Sequence, residues 1–250
     1  MLLGVPTLRL RADYLAIVTI AAAEIVRLVA RSVTFEETLG GSDGRQAFAG
    51  DFYALNPYSE GDYNIGSFGF NERVMWVLTV GWALVGLSCL FVYLLMRSPW
   101  GRVLKAIRED EDAVRSLGKN VYSYKMQSLI IGGVFGAFAG FITALRSAAI
   151  NPSFFATDIT FFAYTVLLVG GAARVLGPVA GAVIFWFLLS FLDLFFISAA
   201  RTGLISAEIM TPNQASLMRF IFMGLALMLL MIFRPQGIFG DRREIAIDAR

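Results

Sequence analysis

Long uncharged runs alternate with charged segments along this chain. The clearest run, residues 74–96, contains 23 residues without Asp, Glu, Lys or Arg, and about 20 apolar residues are enough for a helix to cross the hydrocarbon core of a membrane. Continuous runs of this length predict helices. We therefore predict an all-α, polytopic transmembrane helix bundle with about six membrane-embedded segments, at residues 14–30, 74–96, 128–145, 159–173, 175–200 and 217–233.

The charged segments between these runs predict the orientation in the membrane. Residues 97–127 carry seven basic and four acidic residues, and residues 32–73 carry seven acidic residues and two arginines. Because Lys and Arg are enriched in cytoplasmic loops, residues 97–127 and both chain termini are placed in the cytoplasm, and residues 32–73 outside. One transmembrane domain covers residues 1–240, followed by a cytoplasmic tail over 241–250. The basic residues placed outside are Arg31, Arg45, Arg73, Arg146, Arg201 and Arg219.

Composition excludes several classes of protein. Hydrophobic residues make up 57% of the chain and charged residues 16%, less than the roughly 25% charged residues of soluble domains. The sequence has no histidine and a single cysteine, Cys89, so histidine-based catalysis, cysteine metal sites and disulfides are excluded. The net charge of +2 is too small to indicate binding of nucleic acid. The chain is predicted to be an integral membrane protein.

The charged segment Ser98–Lys125 is the most informative part of the sequence. Ser98-Pro99 and Gly118 are typical of the start and end of a helix, so one amphipathic helix is predicted over residues 101–118. Four consecutive acids at residues 109–112 favour a protein partner over adsorption to anionic lipid headgroups. The apolar residues recur at helical spacing and form one stripe, namely Val103, Leu104, Ile107, Val114 and Leu117.

Four sequence blocks resemble one transporter family, the branched-chain amino acid ABC transporter permeases of the LivM-like branch. The most specific block, SPWGRVLKAIREDEDAVRSLGKNVYSYK, resembles the cytoplasmic signature of that family. LRLRADYLAIVTIAAAEIVRLV resembles its early-middle helix, LVGGAARVLGPVAGA its Gly-Gly to Gly-Pro turn, and LMLLMIFRPQGIFG its C-terminal close. The blocks extend from Leu8 to Gly240. Since family members are usually longer at the start, the chain resembles an N-terminally shortened member.

The resemblance implies a permease subunit of an ATP-driven importer without catalysis of its own. No GxxxxGK[ST] motif occurs in the sequence, so ATP and Mg²⁺ would be bound by separate ATPase subunits and no cofactor or metal is expected here. The other implied partners are a second permease subunit, identical or different, an extracytoplasmic substrate-binding protein and the lipid of a bacterial or archaeal plasma membrane. The implied substrates are branched-chain amino acids, or urea and short amides as in related permeases.

The resemblance also implies that the cytoplasmic helix docks into a groove on the ATPase and transmits force to the membrane spans. The residues expected to couple the chain to the ATPase are Gly101, Arg102, Val103, Leu104, Ile107, Arg108, Glu109, Asp110, Glu111, Asp112, Leu117 and Gly118.

Charged residues inside the predicted spans are candidates for the translocation path or its gate. Glu24 and Arg27 are three residues apart and lie on one helix face, so they either neutralise each other or line the path. Asp193 has no basic residue within its own run and should face protein or water rather than lipid. These carboxylates leave open an alternative function, an ion-coupled secondary carrier that uses Glu24 and Asp193.

Glycines four residues apart predict close helix packing. Small residues at this spacing let two membrane helices approach each other. They are Gly132, Gly136 and Gly140 on one span, and Gly177 and Gly181 after the Gly-Pro turn.

Overall fold

The computed structural model of the protein describes residues 4–7, 12–65, 68–171, 174–201 and 212–240. The chain divides into two compact units, the first ending at Ile159 and the second starting at Thr160. The predicted cytoplasmic tail, residues 241–250, lies outside the described residues, as do Arg9 and Arg11.

The first unit is mostly helical. Short helices and strands fill the segment between its first two long helices, where a charged loop was predicted. A 3₁₀ turn at Val33–Phe35 and another at Pro152–Phe155 complete the unit. Its helices are α1 (Gly4–Thr7), α2 (Ala12–Arg31), α3 (Glu36–Leu39), α4 (Gly50–Ala54), α5 (Glu72–Arg97), α6 (Pro99–Glu109), α7 (Glu111–Ser116) and α8 (Val121–Ser147), and its strands are β1 (Arg45–Gln46), β2 (Asp62–Ile65), β3 (Phe68–Asn71) and β4 (Ala149–Ile150).

The two longest helices, α5 and α8, begin at side-chain caps. The side chain of Asn71 accepts a hydrogen bond from the backbone N–H of Val74, and the side chain of Asn120 accepts one from Ser123. Each cap satisfies a backbone donor that has no partner within its helix. Arg97 and Arg146 lie in the last turns, where a cation interacts favourably with the helix dipole.

Two small antiparallel sheets organise the segment that precedes α5. Strands β2 and β3 pair in register from Asp62 opposite Asn71 to Ile65 opposite Phe68. Strand β1 pairs with β4, so that Arg45 lies opposite Ile150. The second pairing attaches this segment to the chain that leaves α8.

The second unit consists of three helices, of which the first begins at the end of the first unit. They are α9 (Thr157–Gly170), α10 (Gly177–Arg201) and α11 (Pro212–Phe233). Phe185 and Leu189 of α10 and Met223 of α11 form its buried core, against which Phe162 and Val166 of α9 pack. Phe162 lies parallel to Phe220 with the ring centroids 6.4 Å apart.

The chain returns to α9 after α11 ends. The backbone N–H groups of Ile238 and Phe239 donate hydrogen bonds to the carbonyls of Val169 and Gly170, at 2.9 and 3.2 Å. Gly237 has a φ of +81°, and a Cβ on this residue would meet the backbone of Leu168 and Gly171. The Gly-Gly turn after α9 and the segment after α11 therefore contact each other through their backbones. This close contact requires glycine.

The helices confirm the predicted all-α membrane bundle. In the part of the chain that the structure describes, three helices are long and apolar enough to cross a membrane, namely α5, α8 and residues 177–199 of α10. Helix α9 and residues 217–233 of α11 are shorter apolar helices. Helix α2 has 20 residues. It is not counted with the three clear spans because it contains the charged residues Glu24 and Arg27.

Candidate functional site

The charged segment between α5 and α8 folds into two helices where one was expected. Ser98 caps α6, with Pro99 in its first turn. At Asp110 the backbone turns to φ −154° and ψ 103°, which ends α6. The Asp110 carboxylate then accepts hydrogen bonds from the N–H groups of Asp112 and Ala113, at 3.0 and 2.9 Å. Asp110 is thus the N-cap of α7, a role that Asp fills well, and Gly118 ends the segment at φ +75°.

The apolar stripe of this segment packs onto the start of α8. Ile107 and Val114 form a buried cluster with Val121, the first residue of α8. Val103 and Leu104 are partly buried against this cluster. Leu117 does not join them: it lies just after the end of α7 at Ser116, and it is 79% exposed.

Polar contacts fix the same junction. The Glu111 carboxylate bridges two cations, Arg115 Nη2 on its own helix and Lys125 Nζ on α8, each at 2.5 Å. Trp100 Nε1 of α6 donates a hydrogen bond to Gln127 Oε1 of α8 at 2.6 Å. Apolar burial, an ion pair and a hydrogen bond therefore hold α6 and α7 on α8.

The segment is also closely attached to α5. Gly101 is buried, and a Cβ on it would lie 2.6 Å from the Cα and carbonyl oxygen of Met96. Such a contact is too short for any real side chain, so the first turn of α6 meets the last turn of α5 only because residue 101 is glycine. The resemblance implied that Gly101 couples the chain to the ATPase. In the structure Gly101 lies at this helix–helix contact.

Most of the remaining predicted coupling residues are exposed. Glu111 is half-buried by its ion pairs. The exposed members carry charges of both signs together with one leucine, and they are Arg102, Arg108, Glu109, Asp110, Asp112, Leu117 and Gly118. We call these seven residues the outward surface of α6 and α7. It is mostly charged, and Leu117 is its large apolar member.

The candidate charges of α2 pair with each other. Arg27 Nε donates a hydrogen bond to Glu24 Oε2 at 2.8 Å, and Arg27 Nη2 contacts the other carboxylate oxygen. The two side chains are three residues apart in one helix, so the pair forms without any neighbouring helix.

Asp193 pairs with a residue that sequence reasoning assigned to the outer surface. Its Oδ1 lies 3.0 Å from Nη1 of Arg219 on α11, and the Arg219 guanidinium stands 4.8 Å from the centre of the Phe220 ring. The Nε of Arg219 is buried, and no described residue forms a hydrogen bond with it. Asp193 lies about two turns before the end of α10 and Arg219 about two turns after the start of α11. The two residues lie at similar distances from the facing ends of consecutive helices, and this spacing in the sequence could have predicted the ion pair.

The predicted packing glycines fall into two environments. A Cβ on Gly177 or Gly181 would overlap the backbone of α9 or the turn after it, so α9 and α10 approach each other at these two residues. A Cβ on Gly140 would touch the Phe155 ring at 3.5 Å. Gly132 and Gly136 have open space on their free side, and the packing proposed for them stays a prediction.

Comparison with known proteins identifies the family. The family described as "Branched-chain amino acid transport system / permease component" matches residues 1–232. The chain belongs to this permease family. The resemblance inferred from the four sequence blocks is confirmed.

Three relatives in this permease family are branched-chain amino acid permeases by name. The high-affinity branched-chain amino acid transport system permease proteins LivM of Salmonella typhimurium and Escherichia coli are each 32% identical over 95% of this chain and 53% of their own length. The probable branched-chain amino acid transport permease protein LivM of Methanocaldococcus jannaschii is 25% identical over 95% of this chain and 63% of its own length. The chain thus spans about half the length of the two bacterial relatives. No solved structure matches it.

Proposed function

We propose that this chain is a membrane-spanning permease subunit of an ATP-binding-cassette importer that moves branched-chain amino acids into the cell. It carries out no chemical reaction itself, and separate ATPase subunits bind ATP and Mg²⁺. A second permease subunit and an extracytoplasmic substrate-binding protein complete the importer in the plasma membrane, with both termini of this chain in the cytoplasm. Family membership and the names of the relatives support this proposal.

The observation that carries the proposal is how the segment of α6 and α7 is attached. It joins two helices of membrane length and is held to α8 by the Ile107, Val114 and Val121 cluster. It is held to α5 by the close contact at Gly101. Because packed helices transmit displacement rather than deform, a push on this segment moves α5 and α8 together.

The outward surface of the segment is where the ATPase is expected to dock. The apolar stripe is occupied by α8, so the contact must use the exposed charged residues and Leu117. Leu117 is an exposed apolar side chain among these charges, and its burial against a partner would be favourable. Asp112, whose side chain is 91% exposed, lies on α7 and belongs to the same surface.

The alternative, an ion-coupled carrier, needs carboxylates that bind and release protons. Glu24 and Asp193 are each paired with an arginine. Protonation of either carboxylate would leave a guanidinium without its counter-charge inside an apolar helix, which is costly. These two ion pairs therefore argue against an ion-coupled carrier.

The test is uptake of radiolabelled leucine by cells that co-express the chain with ATPase, second-permease and binding-protein subunits from the same genome. Leu117→Asp is expected to abolish most ATP-dependent uptake and to reduce co-purification of the ATPase, because it places a charge in the apolar anchor. The matched control is Leu55→Asp, since Leu55 is similarly exposed, at 74%, and lies in the segment before α5. Equal uptake and equal ATPase recovery for Leu117→Asp and the unaltered chain would contradict the proposal.

A further inference from the structure

A cavity of about 250 Å³ lies at the end of α5 and α8 that is remote from α6 and α7. The first turn of α5 and the last turn of α8 form its walls, together with Tyr53 of α4. Its polar lining includes Arg73, Arg146 and Asn71, and its apolar lining includes Val74 and Val77. Among the described residues, those that line this cavity include two arginines and none that is acidic, and the Glu72 carboxylate lies 4.0 Å from Arg73 Nε.

Hydrogen bonds beside the cavity fix the elements that line it. Tyr53 Oη donates a hydrogen bond to the Leu145 carbonyl of α8 at 2.6 Å, which fixes α4 on that helix. Trp76 Nε1 of α5 donates one to the Phe52 carbonyl at 3.1 Å. The pairing of β1 with β4 fixes the chain just after α8. A binding site that is already formed loses little conformational entropy when a ligand enters.

The two arginines are available to a ligand. The Arg73 side chain is 68% exposed, and its Nε is 4.0 Å from the Glu72 carboxylate, a distance too long for a hydrogen bond. Its guanidinium stands 5.6 Å from the centre of the Tyr53 ring, which orients the side chain beside the cavity. Arg146 is exposed in the last turn of α8.

The shape and chemistry of the cavity restrict what it can bind. A guanidinium binds a carboxylate through two parallel hydrogen bonds, and two guanidiniums in one cavity select an anion. The buried Val77, 7% exposed, and the neighbouring Val74 offer an apolar wall to a short aliphatic chain. The volume is below the roughly 300–1,000 Å³ of cavities for drug-sized ligands, so only a small molecule fits.

We propose that this cavity is a binding site for the carboxylate of a small branched aliphatic acid, and that the amino-acid substrate of the proposed importer occupies it at the outer end of α5 and α8. The arginines hold the carboxylate, and Val74 and Val77 contact the branched side chain. The link to the transported substrate rests on the proposed function. Binding of the carboxylate itself does not, because it needs only the residues of this chain.

The test is equilibrium binding to the purified full chain in detergent, without ATPase subunits. The probes are leucine, 4-methylpentanoate, which lacks the ammonium group, and leucinamide, which lacks the carboxylate. Leucine and 4-methylpentanoate are expected to bind, and leucinamide is not. Arg73→Gln and Arg146→Gln are each expected to weaken leucine binding by about 10-fold to 100-fold, the effect of losing hydrogen bonds to a charged group.

Two controls keep the test decisive. Arg31→Gln removes an exposed positive charge at the end of α2, outside the cavity, and is expected to leave the dissociation constant of leucine unchanged. Val74→Trp fills the cavity, keeps both arginines and is expected to abolish leucine binding. Because Val74 is 42% exposed, this change is tolerated by the fold, which an unchanged elution volume verifies.

Three results would overturn the proposal. The first is leucine binding that is absent, or unchanged in both arginine variants. The second is equal binding of leucinamide and leucine. The third is arginine variants that lose capture of the substrate-binding protein while leucine binding is intact, since the carboxylate would then belong to that protein. Leucine binding by the unaltered chain without leucine uptake by the assembled importer would count against the proposed importer but not against this site.

Discussion

Two helix junctions in this chain use the same chemistry in different surroundings. At the α7–α8 junction the Glu111 carboxylate bridges Arg115 and Lys125, next to the exposed charged surface of α7. At the α10–α11 junction Asp193 pairs with Arg219 in the interior of two long apolar helices. One ion pair lies beside exposed charged residues, and the other lies between two predominantly apolar helices.

The difference shows which interaction holds each junction. Exposed ion pairs contribute little, because water and salt screen them, so the α7–α8 junction depends on its buried cluster of Ile107, Val114 and Val121. Between apolar helices the hydrophobic effect does not distinguish protein from lipid. Polar pairing therefore matters more at the α10–α11 junction, where Phe196 and Phe222 also pack with ring centroids 5.0 Å apart.

The largest effect is expected from a charge placed in the buried cluster. Ile107→Asp should destabilise the attachment of α6 and α7 by about 3 kcal/mol or more, since the carboxylate would be buried without a partner. Limited trypsin digestion of the purified chain measures this as faster cleavage within residues 97–127. Leu117→Asp, which changes an exposed residue, is the control and should be cleaved at the rate of the unaltered chain. Equal cleavage of the two variants would mean that the cluster does not hold the segment.

A smaller effect is expected when the α10–α11 pair is broken. Asp193→Asn or Arg219→Gln alone should lower the free energy of unfolding by about 1.5–3 kcal/mol, because each leaves one charge without its partner. The double variant should recover most of this loss. Thermal unfolding in detergent micelles, arranged as a double-mutant cycle, separates the pair energy from the single effects. Additive losses would show that the two side chains do not interact.

The smallest effect is expected at Glu111. Glu111→Gln should cost only about 1 kcal/mol, because its half-buried ion pairs border water, and the cost should be smaller at about 1 M salt, where the screening length is about 3 Å. The destabilisation by Asp193→Asn should persist at that salt concentration. If high salt reduced the cost of both substitutions equally, the two junctions would not differ in this respect.

Much of the fold followed from hydropathy alone. The apolar runs predicted α5, α8, α10 and the apolar part of α11, because a helix that must cross lipid needs a long uncharged sequence. The segment at residues 32–73 was predicted only as a loop, although it contains β2, β3 and α4. Strand β1 pairs with the distant β4, and that pairing has no local sequence signal, whereas β2 and β3 pair with each other.

The charged segment between α5 and α8 was predicted as one helix, and the structure divides it into two. Residues 109–112 looked like one continuing acidic helix, whereas Asp110 ends α6 and caps α7. Aspartate followed by helix-forming residues is itself an N-cap signal, and it was available in the sequence. The ion pair between Asp193 and Arg219 was missed because each residue was considered within its own helix. The cavity between Arg73 and Arg146 was not predictable, since it depends on where the ends of two helices meet.

We propose that the outward surface of α6 and α7 receives the ATPase. Photo-crosslinking tests it most directly, with a benzophenone amino acid placed at residue 117 and, as the matched control, at residue 55 in the co-expressed importer. We predict an adduct with the ATPase subunit from residue 117 and none from residue 55. An importer that transports leucine yet gives no ATPase adduct at residue 117, or gives equal adducts at both residues, would contradict this account.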